Sequence, residues 1–459
     1  MAGLEAVDIL NEFGAKIRPV VATHLGEPAY VNTLGVSSDD RSVVILILDL
    51  GPPDANGAML LGYFDPVHAF VNDPSHSLLR YSNALPMVFL NSRVLTEFGG
   101  SVSFRVNQFL LTLAHEFQHL HNFYYNVGQQ QIGQMDTWID EMLSAAAEFY
   151  YTGQVDTGRI NYFTGAGYNF SVNGKSIDSY NPYVAMGQNH VAWGRPWTDV
   201  LTSYASVHMK MNWLRLHAND SGIFRDMVLS SHTDALAVSS SAEAHGIATN
   251  GWPELLRTWA AANWLRSGTE LFGYKGEPPF QTGKIETLNK ALNDSVVAIS
   301  DSRYVLGPGE FIYVKPDSSP SFNVEVTDND IFYARLTSTG VDINGDLNED
   351  ETLLAYNTRT NPFSATLQTR ALPLPESLVS SSSIGSLSTN YSGPLRVTPP
   401  PGPHGVDMVF RDSGVGGVSA QGGSGGVSSQ TSGAPAPAPR ITPNLDEVLR
   451  ERLRALEGE

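Results

Sequence analysis

Two histidines four residues apart, with a glutamate beside the first, are the residues of this chain best spaced to do chemistry. They read His115-Glu116-Phe117-Gln118-His119, inside the apolar run from Leu110 to His121. Residues i and i+4 of an α-helix lie one turn apart on the same face, so His115 and His119 can aim two imidazole nitrogens at one metal ion. Glu116 is then placed to hold a water against that ion and take its proton. Leu110, Leu113, Phe117 and Leu120 are expected to form the opposite, buried face. Such a set suits metal-assisted hydrolysis.

Two histidines are too few for a catalytic zinc, which takes three protein ligands and keeps one position open. The chain has no cysteine, so the third ligand is a carboxylate or another histidine. Asp136-Thr137-Trp138-Ile139-Asp140-Glu141 reads as the opening of a second helix, with Thr137 and Asp140 spaced like a capping box. The two helices, joined by a polar loop over 126–134, can pack antiparallel and bring Glu141 onto the histidine pair. Glu148, two turns further along nearly the same face, is the alternative ligand. HExxH also occurs by chance in helices that bind nothing. The following helix with its glutamates is what favours a metal here. His121, two residues past His119, is expected to turn away from the metal into solvent, and His24, His68, His76, His217, His232, His245 and His404 show no ligand spacing.

The elements that must position these residues read as α+β. Ser42 to Leu50 is rich in β-branched residues and stops at Gly51-Pro52-Pro53, which predicts a buried strand, and Pro86 to Leu90 predicts another. The HEFQH helix is expected from about Phe104 to Tyr125. Gly, Asn and Tyr dominate 151–196, read as a long loop region around a cleft. Helices return over about 197–216, 223–230, 239–245 and 252–266. Beyond 290 the texture is one of short alternating strands (296–299, 310–314, 322–326, 331–336, 352–356 and 364–368), read as a β-sandwich. A Gly/Ser/Pro/Ala tract follows as a flexible linker, then an amphipathic helix with Leu445, Leu449, Leu453 and Leu456 on one side, suited to a partner or to self-association. The organisation expected is thus 1–126, an α+β half with the HExxH helix; 127–290, a mainly helical half with the third ligand; 291–412, the β-sandwich; 413–440, the linker; and 441–459, the terminal helix.

Composition narrows the partners. With 28 basic and 47 acidic side chains the formal charge is −19, which disfavours nucleic acid and anionic membranes. The longest apolar run, Val43 to Leu50, is too short to cross a bilayer, so no transmembrane segment is expected. The first residues lack a charged segment followed by an apolar one, so no secretory signal is read in the chain as given. A second candidate metal site is Asp342-Ile-Asn344-Gly-Asp346-Leu-Asn348-Glu-Asp350, whose alternating oxygens suit Ca2+. Leu347 and Leu353 stand where an EF-hand loop has Gly and Glu, so a polar hairpin turn is the preferred reading.

His115-Glu-Phe-Gln-His119 followed by Trp138-Ile-Asp-Glu141-Met-Leu-Ser144 resembles the hyicolysin-type metallopeptidases and, more broadly, the gluzincins, whose third zinc ligand is a glutamate on a later helix. The Gly62-Tyr63-Phe64, Ser82-Asn83, Ser203-Tyr204-Ala205-Ser206 and Trp259 to Asn263 segments add weaker similarity, so about 40–270 is covered. Asp140 and Met142 depart from the Asn and Gly that commonly flank the third ligand in that family. The resemblance implies a zincin-like catalytic domain: a twisted sheet with the HExxH helix, then a mainly helical subdomain. It implies zinc on His115, His119 and Glu141, with Glu116 as general base. A Tyr or His from a later helix would be the oxyanion donor. Tyr204 fits by position, with Tyr183, His190 and His208 as competitors. Peptide substrates would add to an edge strand, for which Asn83-Ala84 is the expected place.

Taken together these features predict a zinc endopeptidase acting on proteins or peptides, and the resemblance implies that it is secreted or exposed at a cell surface or in a periplasm. An adhesion or binding protein with an inactive zincin domain is the alternative; the intact Glu116 argues against it. An aminopeptidase would need a substrate-amine motif that Gly57-Ala58-Met59-Leu60-Leu61 does not supply.

Overall fold

The computed structural model describes residues 6–28, 30, 42–53, 59–76, 79–172, 174–188, 190–191, 199–247, 250–283, 285–294, 306–315, 331–337, 340–343, 352–359 and 419–421. The chain opens with α1 (Ala6–Glu12) and α2 (Arg18–Leu25), joined by a π-helical turn over Phe13–Ile17. Ile9, Phe13, Ile17, Val21 and Leu25 are all buried. A strict four-residue repeat drifts by about 40° per step on a 3.6-residue helix, and the wider π turn takes up part of that drift. The stripe therefore stays on the core, where the Phe13 ring meets Phe117 edge-on at 4.8 Å.

Three strands follow: β1 (Val44–Leu48), β2 (Gly62–Phe64) and β3 (Met87–Asn91). Their order is β1-β3-β2, with β3 parallel to β1 from Val44↔Met87 and antiparallel to β2 from Gly62↔Leu90. Every residue of β3 is buried. The segment expected to be a buried strand, β1, is instead an edge among the described residues, and Leu46 on it is 38% exposed. At Gly62 a Cβ would lie 2.8 Å from both the Phe89 carbonyl oxygen and Thr112 Cγ2, so only glycine allows β2 this close to the next helix.

That helix is α3 (Val102–Phe123), capped by Ser101, whose hydroxyl accepts from the Phe104 N–H at 3.1 Å. Its expected amphipathicity is not what the fold uses. From Phe109 to Phe123 every residue but Leu111 is buried, polar positions included, because sheet, N-terminal helices and following helix enclose it. The stretch read as a loop continues as a π turn over Tyr124–Gln130 and ends at Gln131 with φ 57°.

Next come α4 (Thr137–Thr152), α5 (Thr157–Thr164), the hairpin β4 (Asn169–Val172) and β5 (Lys175–Ile177), and α6 (Pro182–Ala185). The region expected to be mostly loop thus holds two helices and a hairpin. The rest of the helical half is α7 (Val200–His217), α8 (Ile223–Val228), α9 (Ala235–Ala244), α10 (Trp252–Leu265) and α11 (Leu288–Asn293). No helix among the described residues is long and apolar enough to cross a membrane.

The later strands β6 (Phe311–Val314), β7 (Ile331–Thr337), β8 (Gly340–Asp342) and β9 (Thr352–Asn357) form one antiparallel sheet of order β6-β9-β7-β8. A second sheet facing it, as a sandwich requires, is not among the described residues. Instead the sheet lies on α10: Phe311 meets Trp259 at 5.4 Å, and the Tyr313 hydroxyl donates to the Ala260 carbonyl at 2.6 Å. One apolar core runs from Ile9 to Tyr356. The expected boundary at 290/291 is bridged, since the Asn289 side chain bonds both backbone groups of Lys315. Strands expected at 296–299, 322–326 and 364–368 lie outside the described residues, as does the terminal helix. Within the expected linker, Ser419–Gln421 pairs parallel with β4.

Candidate metal centre

Helix α3 carries His115 and His119 on one face, their ring centroids 4.8 Å apart. Helix α4 runs antiparallel beside it and brings Glu141 to both: Oε2 is 3.1 Å from His115 Nε2 and 3.5 Å from His119 Nε2. All three side chains are buried, and their donor atoms lie within 4.8 Å of one another. The alternative ligand, Glu148, sits on the far side of the His115 ring, with Oε1 2.6 Å from Nδ1.

Both histidines are held the same way. The His119 Nδ1 lies 2.8 Å from Asp140 Oδ2, and the Ser144 hydroxyl is 3.3 Å from the same nitrogen. A carboxylate on Nδ1 fixes the proton there and leaves the Nε2 lone pair for a metal. His119 Nε2 is buried and faces Glu141 Oε2 at 3.5 Å, beyond ordinary hydrogen-bond length, a placement that fits a shared metal ligand set. Asp140 does not close a capping box with Thr137. The N-cap is Asp136, without a side-chain cap bond, and Asp140 accepts from His119 and Asn122.

The electrostatics suit a cation. Burial would push the Glu141 carboxyl up, but His119 and His115 hold it at about 2. Burial acts likewise on Glu148, where Arg159 and then His115 bring it to about 2. His119 goes the other way: burial opposes its charge, yet Asp140 and Glu141 raise it well above the usual imidazole range. Three acidic side chains crowd two imidazoles and one guanidinium. A divalent ion between Glu141 and the two Nε2 atoms would balance them.

The other expected site residues fall in different places. Glu116 is fully buried next to His115. Tyr204, in the second turn of α7, directs its hydroxyl to Glu141 Oε1 at 3.2 Å. Its helix is capped by Asp199, which accepts from the Thr202 N–H at 3.1 Å and from the Tyr162 hydroxyl at 2.8 Å. Of the competitors, Tyr183 packs near Phe170, and His190 lies among Trp138, Trp252 and Trp259. His208 Nε2 is 3.1 Å from the Asn212 amide. His121 is not solvated; it is fully buried, and its Nε2 lies 2.7 Å from the Tyr30 hydroxyl.

The expected substrate edge is also corrected. The segment before β3 leads into a strand flanked by β1 and β2, so it offers no free edge. Asn83 turns to the His68 ring, and Ala84 has φ 52°, outside strand geometry. Of the calcium candidate only Asp342 and Ile343 are described before the following strand. Asp342 accepts from Arg335 across the β7–β8 pair. Asp140 in its bond to His119, Glu148 in its bond to His115, and Arg159 behind Glu148 do not read as a set in the sequence. Glu148 at seven residues from Glu141 is the one available signal.

Residues 15–269 match the family model described as Peptidase M30. No curated protein matches the chain.

Proposed function

The chain belongs to the peptidase M30 family, and from that premise we propose that it is a zinc-dependent endopeptidase of proteins or peptides. The observation that carries this reading is the convergence of buried His115, His119 and Glu141, with donor atoms within 4.8 Å of one another. Two imidazole nitrogens and one carboxylate oxygen are a donor set suited to a catalytic zinc, and leave a position open.

Zinc held there would supply Lewis acidity and lower the pKa of a water to about 7. His115, His119 and Glu141 would hold the ion, and Glu148 and Asp140 would keep the imidazole protons on Nδ1. Glu116 takes the proton of the attacking water and returns it to the leaving amine as the peptide bond breaks. The Tyr204 hydroxyl donates to the oxyanion that develops on the scissile carbonyl. We place the activity outside the cytoplasm, secreted, at a cell surface or in a periplasm, on the resemblance to the hyicolysin-type peptidases, with which the acidic, cysteine-free composition is consistent.

The test is cleavage of casein or a peptide library by wild type, Glu116→Ala and chelator-treated protein. Wild type is expected to cleave. Glu116→Ala is expected to keep its zinc and lose about 10²–10⁴ in rate, the usual weight of a general base. Cleavage that survives both treatments sinks the mechanism.

A further inference from the structure

We infer that Arg159 is a positioning residue for the metal centre, acting on His115 through Glu148 from a third helix. The inference rests on the proposed zinc reading. Arg159 is 2% exposed, in the first turn of α5. Its guanidinium takes both oxygens of Glu148, NH1 to Oε2 at 2.8 Å and NH2 to Oε1 at 2.9 Å. The shared oxygen, Oε1, also faces His115 Nδ1 at 2.6 Å. A paired two-point bond of this kind fixes the plane of the carboxylate as well as its charge.

A further carboxylate, Asp156, lies behind the guanidinium. Asp156 caps α5 by accepting from the Gly158 and Arg159 N–H groups at 2.8 and 3.2 Å, and its Oδ2 lies 3.6 Å from Arg159 Nε. A relay thus runs from Arg159 through Glu148 to the His115 ring by short polar contacts, with Asp156 behind the guanidinium at the longer distance of 3.6 Å. The two histidines differ in this respect. The partner of His119, Asp140, is one residue from Glu141 on the same helix. Glu148 stands two turns away and needs an arginine to aim it. Lysine, a point charge on a flexible stem, cannot hold both oxygens in one plane.

The experiment measures zinc binding by competition with a chromogenic chelator, for wild type, Arg159→Met, Arg159→Lys and His119→Ala. Folding of each metal-free protein is checked by circular dichroism, and visible absorption is recorded with Co2+ in place of zinc. Arg159→Met is expected to weaken zinc by about 10–100-fold, the usual weight of a partner behind a ligating histidine, with altered Co2+ bands. Arg159→Lys is expected to weaken it less but measurably. A folded Arg159→Met protein with wild-type zinc affinity overturns the inference. Should Arg159→Met fail to fold, a folded Arg159→Lys protein with wild-type affinity and Co2+ bands overturns it equally. If wild type takes up no zinc, or His119→Ala binds it as tightly, the metal centre itself is wrong and this inference falls with it.

Discussion

The Tyr204 hydroxyl lies 3.2 Å from Glu141 Oε1, while the other oxygen of the same carboxylate faces His115 and His119. One oxygen of Glu141 is thus turned to the histidines and the other to a phenol from a separate helix. Tyr204→Phe separates the two roles this phenol can have. As oxyanion donor its loss lowers kcat by about 10²–10³ with zinc affinity unchanged. Steady-state kinetics beside a zinc titration read the outcome. A variant with wild-type kcat removes Tyr204 from the mechanism.

Glu141 and Glu148 are distinguished by metal analysis. Glu141→Ala removes a donor atom and is expected to leave the purified protein without stoichiometric zinc. Glu148→Ala removes a partner of His115 and is expected to weaken zinc by about 10–100-fold while stoichiometry survives at excess metal. Zinc lost only from the Glu148 variant would reverse the assignment.

His208 sets a pH dependence of stability that a difference measurement isolates. Burial and the nearby Arg159 charge push its imidazole down to about 3. The unfolded chain, with an ordinary value near 6.5, therefore binds a proton that the folded chain refuses. Stability falls as pH drops from about 6.5 towards 3, by up to about 1.4 kcal/mol per pH unit for this one group. Relative to His208→Gln, wild type is expected to lose ground over that window in urea titrations at successive pH. Parallel curves would show that His208 does not carry the effect.

Lys210 is buried against Trp213, Trp252 and Trp259, with Nζ 4.7 Å from the Trp259 centroid, and no hydrogen-bond partner for it is found among the described residues. Burial pushes its ammonium well below the usual lysine range. The unfolded lysine keeps its proton up to about pH 10.4, so at neutral pH the folded state bears a penalty that vanishes only as pH rises to that value. Lys210→Met is expected to stabilise the protein by about 1–3 kcal/mol at pH 7, and by less as pH approaches 10. Chemical denaturation at pH 7 and 9.5 checks both the sign and the trend.

The histidine pair is legible in the sequence because it is local. His115 and His119 share a helix, and helical periodicity alone puts them on one face. Glu141 is legible for nearly the same reason, since two antiparallel helices with a short connection leave few registers. Helices of the 197–266 region can likewise be read, because helix signals are local, as the N-caps Asp199 of α7 and Asp234 of α9 show. Sheet order is not legible. Nothing local tells β1 that it will lie at an edge and β3 that it will lie inside, because neighbours are assigned by the whole set of strands. What the strands beyond 290 pack against is likewise not legible: alternating residues announce strands, and packing decides that the apolar face of the described sheet meets α10.

By itself, then, the sequence determined the donor types, their helical spacing, the glutamate beside them and the absence of cysteine. Tertiary structure alone decided which carboxylate turns to the two Nε2 atoms and which faces His115 Nδ1. Glu141 and Glu148 are the same residue type on nearly the same helical face. What divides them is the register of α4 against α3, and Arg159, which claims one of the two from a helix that neither motif contains.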